Sequence, residues 1–117
     1  MNYKAVTENM YQELSPTFLV SVKNSAIPIK GEKILSSSYS KRINAIMQLF
    51  GFYDEAGEFS FKLGLPGKSG VGGGIVAIHP SKYCVAVWSA ALNKKGNSLK
   101  GIKTLELLTT KTELSIF

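Results

Sequence analysis

Ile43, Ile46, Met47 and Phe50 recur at spacings i, i+3, i+4 and i+7. That spacing predicts an amphipathic helix over about residues 39–50, with Ser36-Ser37-Ser38 as N-cap candidates and Gly51 as its stop. Leu99, Ile102, Leu105 and Leu108 lie on one face of a second helix, which starts at Asn97-Ser98 and is expected to pack on a sheet. Between the two helices the period changes. GEFSFKLGL alternates apolar and polar at Phe59, Phe61 and Leu63, which reads as a half-buried strand. GGIVAIH reads as a second strand and YCVAVWS as a third, joined by the His79-Pro80-Ser81-Lys82 turn and therefore antiparallel. LNKKGNS is a polar loop.

Upstream of Ser36 the pattern is weaker. Ser15-Pro16 reads as an N-cap with a first-turn proline, leading into Phe18, Leu19 and Val22 at helical spacing up to about Asn24. One longer helix from about Glu8, kinked at Pro16, fits as well. NSAIPIKGEKIL is a loop with a turn at Lys30-Gly31. The order helix, helix, strand, strand, strand, helix predicts an α+β or three-layer αβα arrangement. Three strands make a thin domain, and the N-terminal stretch supplies none of its own. The pattern reads as part of something larger.

The chain has 117 residues, room for one small domain. Its 44% hydrophobic and 19% charged content is that of a chain that buries a core. No apolar run approaches a membrane span, and the first residues lack the apolar stretch of a secretory signal. Cys84 is the only cysteine, which fits a reducing compartment, most simply the cytoplasm. The net charge of +6 raises the question of nucleic acid. The 14 basic residues are scattered, and no basic stripe alternates with aromatics, so a solvated basic surface is the better reading.

Six of the 11 glycines fall in LGLPGKSGVGGGIVA, residues 63–77. Gly67-Lys68-Ser69 ends like a P-loop, but the first glycine of that motif would fall on Lys62, and the loop leads into a strand instead of a helix. The dinucleotide pattern fails because its third glycine would fall on Ile75. Lys68-Ser69-Gly70 does match K-[ST]-G, a strand element that edges the active site of penicillin-binding proteins and serine β-lactamases. Three letters match often by chance, and on them alone a glycine-rich hairpin entry with a solvated lysine is the better reading.

The longer string GFYDEAGEFSFKLGLPGKSGVGGGIVAIHP resembles the C-terminal part of the serine-dependent glutaminases, which are similar in fold to the β-lactamases. The resemblance continues through VAVWSAALNKKGNSLKGIKTLELL, covers about residues 28–110, and fades upstream of Ile27. It implies a partial serine β-lactamase/transpeptidase-like domain, residues 1–117 forming one C-terminal piece of it. It also implies hydrolysis of L-glutamine to L-glutamate and ammonia without metal or organic cofactor, in a homo-oligomer. Within it, Tyr53 of F-Y-D corresponds to an active-site tyrosine. Val71 corresponds to the residue whose backbone contacts substrate, where an N–H would stabilise an oxyanion. Lys68, Ser69 and Gly70 line the same strand.

The family's nucleophile is the serine of an S-x-x-K motif far upstream of K-S-G, with the lysine as base. The only S-x-x-K here, Ser38 to Lys41, opens the helix before Tyr53, where the family has no nucleophile. It reads as a helix start with an exposed lysine. Tyr3 stands near the position of the family's upstream tyrosine, but the letters around it do not support the match. The chain alone is therefore expected to be inactive and to need the N-terminal part of a catalytic domain. Two rivals are a non-enzymatic assembly partner of a glutaminase and a basic nucleic-acid-binding module. Of the remaining candidates, His79 sits in a turn, Cys84 and Trp88 read as core of an apolar strand, and Glu55 and Glu58 read as solvated. One histidine and one cysteine do not make a zinc site.

Overall fold

A computed structural model describes residues 35–80 and 82–117, together with the strand 18–23. The described elements are β1 (Phe18–Lys23), α1 (Ser37–Phe50), a single 3-10 turn (Tyr53–Glu55), α2 (Ala56–Leu63), β2 (Gly67–Ser69), β3 (Gly74–His79), β4 (Tyr83–Trp88) and α3 (Leu99–Thr112). The strands form one antiparallel sheet in the order β1-β4-β3-β2. The fold is mixed α+β, and the described residues build a sheet with α2 and α3 packed on one face.

The two periodic helices form where their sequence places them. Ser36 caps α1 by accepting from the Tyr39 N–H, and Gly51 closes it by donating to the Met47 carbonyl. Ser98 caps α3 by accepting from the Gly101 N–H, and its own hydroxyl donates to the Ser89 carbonyl, tying the helix start to the end of β4. Ile102, Leu105 and Leu108 are buried on the sheet, while Leu99, expected on the same face, is 58% exposed in the first turn.

Two of the expected elements fail. Residues 18–23 are not helical: Phe18–Lys23 is a strand paired with β4, so this stretch does contribute to the sheet. FLVSVK carries apolar residues on both parities, so its spacing suits helix and strand alike. Pairing settles the choice, because β1 satisfies the N–H and C=O groups on an edge of β4 that would otherwise lack partners. The strand also ends the longer-helix alternative beyond residue 17; the stretch from Glu8 to residue 17, the NSAIPIKGEKIL loop up to residue 34 and Tyr3 lie outside the described residues.

The second failure is Phe59-Phe61-Leu63, which is helix α2 and not a strand. Phe59 and Leu63, four apart, are 2% and 1% exposed, whereas Phe61 is 91% exposed. Positions 59 and 63 satisfy both periods; the fate of Phe61 separates them. Gly64 ends the helix in the left-handed conformation at φ +64°. Phe59→Ala should therefore cost about 3–5 kcal/mol in urea unfolding, and Phe61→Ala less than about 0.5. Comparable losses for the two would restore the strand reading.

The core lies between the sheet face carrying Ile75, Ala77, Val85 and Val87 and the helices carrying Phe59, Leu63, Leu105 and Leu108. Strand alternation sends Lys68, Val76, Cys84, Ala86 and Trp88 to the opposite face. Trp88 is thus not core. It is 43% exposed, and its indole N–H donates to the Gly72 carbonyl. Cys84 is half-buried on that same face, and burial pushes its thiol pKa up. Among the described residues, no helix is long and apolar enough to cross a membrane.

Candidate active site

The candidate site forms where the end of α1 meets β2. A β-carbon on Gly51 would lie 1.7 Å from the Gly67 carbonyl oxygen, so the two backbones touch in a way only glycine permits. The Ser69 N–H donates to the Gly51 carbonyl at 2.9 Å. Next along the chain, Phe52 is 1% exposed and its ring stacks on Phe59 with centroids 3.5 Å apart. These contacts seat the F-Y-D element directly on the K-S-G strand.

Tyr53 then turns outward. Its φ is +53°, a conformation that costs a non-glycine residue about 1–3 kcal/mol and needs support from its surroundings. The ring is half exposed, and the Lys68 ammonium sits 4.9 Å from its centroid. Lys68 also donates to the Ser69 carbonyl. Tyr53 does not pack over the core; Phe52 fills that place.

The turn after K-S-G is closed by Gly70 N–H to the Gly74 carbonyl and Gly73 N–H to the Gly70 carbonyl, at 2.9 and 3.0 Å. Val71 stands at its tip, 73% exposed. The glycine run beyond it serves another backbone: a β-carbon on Gly73, at φ +96°, would lie 2.4 Å from the Ser89 carbonyl oxygen. Lys68, Gly70 and Val71 form one exposed lip, and Lys68 is the residue that joins it to Tyr53. Ser69 points the other way, 2% exposed, with its hydroxyl unpartnered among the described residues.

Ser38 and Lys41 lie exposed in the first turns of α1, and Ser36, not Ser38, is the cap. Glu58 is exposed as expected and pairs with Lys62 at 2.6 Å, which holds the Glu58 carboxyl below and the Lys62 ammonium above their usual values. Glu55 is a correction. It is 8% exposed, and its carboxylate accepts from the side-chain amides of Asn93 and Asn97. Sequence reasoning missed this because the partners stand 38 and 42 residues away. No local pattern announces such a contact.

The sequence model of the family described as Glutaminase matches residues 3–117. The chain belongs to the glutaminase family. The match reaches well upstream of Ile27, beyond the stretch in which the motifs are legible. A glutaminase of Saccharophagus degradans is 59% identical over 106 residues, covering 91% of this chain and 34% of that protein. One from Christiangramia forsetii is 59% identical over 105 residues, with 90% and 34% covered. The fold is similar to the Bacillus subtilis glutaminase in its covalent complex with 5-oxo-L-norleucine, formed by reaction with 6-diazo-5-oxo-L-norleucine. That similarity has a TM-score of 0.73 at 34% identity, over 77% of this chain and 33% of the other. The chain spans about a third of the length of the glutaminases it matches.

Proposed function

We propose that this chain forms the Tyr53/K-S-G side of a glutaminase active site, and that the rest of the site comes from polypeptide outside these residues. The observation that carries the reading is Tyr53, held at positive φ with an exposed ring beside Lys68, on the lip that also presents Val71. In the complete site a serine attacks the side-chain amide carbon of L-glutamine and passes its proton to a lysine base. The Val71 N–H stabilises the oxyanion, Tyr53 relays the proton to the departing ammonia, and water then hydrolyses the γ-glutamyl ester. Lys68 holds substrate by its side chain, and Ser69 and Gly70 through their carbonyls, because their N–H groups are spent on Gly51 and Gly74. The covalent complex of the Bacillus subtilis relative supports a nucleophilic route. The assembly is cytoplasmic and homo-oligomeric, and needs no cofactor.

The missing portion packs on apolar surface that the described residues leave open. On α1, Tyr39, Ile43, Ile46 and Phe50 form a stripe at helical spacing, between 41% and 69% exposed. A patch of this kind on a small domain marks an interaction surface. The same stripe favours the second reading, a non-enzymatic subunit of a glutaminase assembly.

The test is co-expression with the part of the Saccharophagus degradans glutaminase that this chain does not match, followed by an assay of ammonia release from L-glutamine. The chain alone should release none, and the pair should be active. Co-purification without activity would favour the non-enzymatic role. Activity of the chain alone would overturn the assignment of the nucleophile to polypeptide outside it.

A further inference from the structure

A buried polar corner stands directly behind Tyr53. The Asn93 Nδ2 donates to both carboxylate oxygens of Glu55, at 3.0 and 2.8 Å, and the Asn97 Nδ2 donates to one of them at 2.7 Å. Asn97 Nδ2 also donates to the Phe52 carbonyl at 3.2 Å, and the Glu55 N–H donates to that same carbonyl at 2.9 Å. The orientation of Asn93 is not free. Its Oδ1 accepts from the backbone N–H groups of Lys95 and Asn97, so its Nδ2 can only donate toward Glu55. Position 55 therefore calls for a group that accepts at both ends, which is a carboxylate.

The geometry of this corner bears on Tyr53. The Phe52 carbonyl belongs to the peptide plane that leads into Tyr53, and it is pinned by two donors. Glu55 is pinned two residues later. Between these anchors the chain takes its positive φ. The 93–97 loop also reaches the ring: an added β-carbon on Gly96 would lie 4.0 Å from Tyr53 Cε2. That loop is closed on itself by Asn93 N–H to the Asn97 carbonyl at 2.7 Å and Gly96 N–H to the Asn93 carbonyl at 3.1 Å. It is a compact block, not a loose strap.

We propose that Glu55, with Asn93 and Asn97, is the positioning device that holds the Tyr53 phenol in place for the glutaminase reaction. Glu55 touches no substrate; it acts through Tyr53. The proposal rests on the reading of Tyr53 as a site residue.

The first arm of the test uses the isotope-labelled 117-residue chain and no activity. Tyr53 should show the strong amide–Hα cross-peak of a positive φ and a contact between its ring and Gly96. In Glu55→Gln the carboxamide opposes donor to donor, and in Asn93→Ala both donations to Glu55 and both bonds accepted from the Lys95 and Asn97 N–H groups are absent. Both variants should lose the two signals while the Phe59 and Leu65 resonances of the core stay in place. Retention of both signals in both variants overturns the proposal. Asn93 lies less deep than Glu55, so its variant keeps the test decisive if E55Q does not fold.

The second arm is a double-mutant cycle in the co-expressed assembly. E55Q should lower kcat about 10–100-fold with KM little changed. The Y53F/E55Q pair should lose no more than Y53F alone. Losses that multiply would show Glu55 acting independently of Tyr53 and overturn the proposal. If Y53F itself leaves kcat intact, the site reading of Tyr53 falls, and the catalytic role of the corner with it. If Y53F is impaired and E55Q is not, only the positioning role falls.

Discussion

Gly51→Ala is expected to abolish stable folding of this chain. The backbone of Gly51 is ordinary helical geometry, so the cost is purely steric. The added carbon would meet the Gly67 carbonyl oxygen at 1.7 Å and the Met47 carbonyl oxygen at 2.5 Å. Both are backbone atoms, one in a strand of the sheet and one in the last turn of α1, so neither can swing away as a side-chain tip would. Relief would require α1 to separate from β2. That in turn would break the Ser69 N–H bond to the Gly51 carbonyl and unseat Phe52 from Phe59 and Gly67. A loss above about 4 kcal/mol follows, which takes most or all of the margin of a domain near the low end of the usual range of about 5–15 kcal/mol. Gly57→Ala is the control. Gly57 lies in α2 with nothing within 4 Å of an added carbon, so alanine there should raise stability by up to about 1 kcal/mol. Thermal melts by circular dichroism would separate the two. A G51A variant melting with the parent would mean that α1 and β2 do not meet as described.

Tyr53 is expected to separate stability from function. In the co-expressed assembly, Tyr53→Phe should lower kcat about 10²–10³-fold with no change in melting temperature, because the hydroxyl carries the proton-transfer role and the ring is half exposed. Tyr53→Gly should be equally inactive yet more stable, by about 1 kcal/mol. It removes about 1–3 kcal/mol of strain at φ +53° and adds about 0.5–1 of backbone entropy cost. A residue kept in a strained conformation for its chemistry gives this opposite-signed pair of results. If Y53G is destabilised instead, the ring's contacts with Lys68 and the 93–97 loop hold the turn together. Tyr53 would then be structural first.

What could be read from the sequence alone was local. The α1 and α3 helices carry their own caps and a 3.6-residue period over three turns or more, and nothing distant competes with those signals. The β3 and β4 strands lie three residues apart with a proline turn between them, so their pairing is local too. The F-Y-D and K-S-G letters marked Tyr53, Lys68 and Val71 because a family resemblance attaches to a string, and a string is visible without a fold.

The tertiary structure decided everything whose cause lay elsewhere in the chain. Residues 18–23 became a strand because an edge of β4 offered hydrogen-bond partners. Residues 56–63 became a helix because Phe59 and Leu63 could enter one core while Phe61 stayed in water. In YCVAVW both parities are apolar, so the pattern fits burial of either Val85 and Val87 or Cys84 and Trp88. The packing of α3 chose the first pair. Glu55 turned from an apparent surface charge into the buried anchor behind Tyr53, because Asn93 and Asn97 return to it from the loop after β4. Periodicity records which residues share a face; it carries no information about what that face meets, and the strain, burial and hydrogen bonding around Tyr53 depend on that meeting.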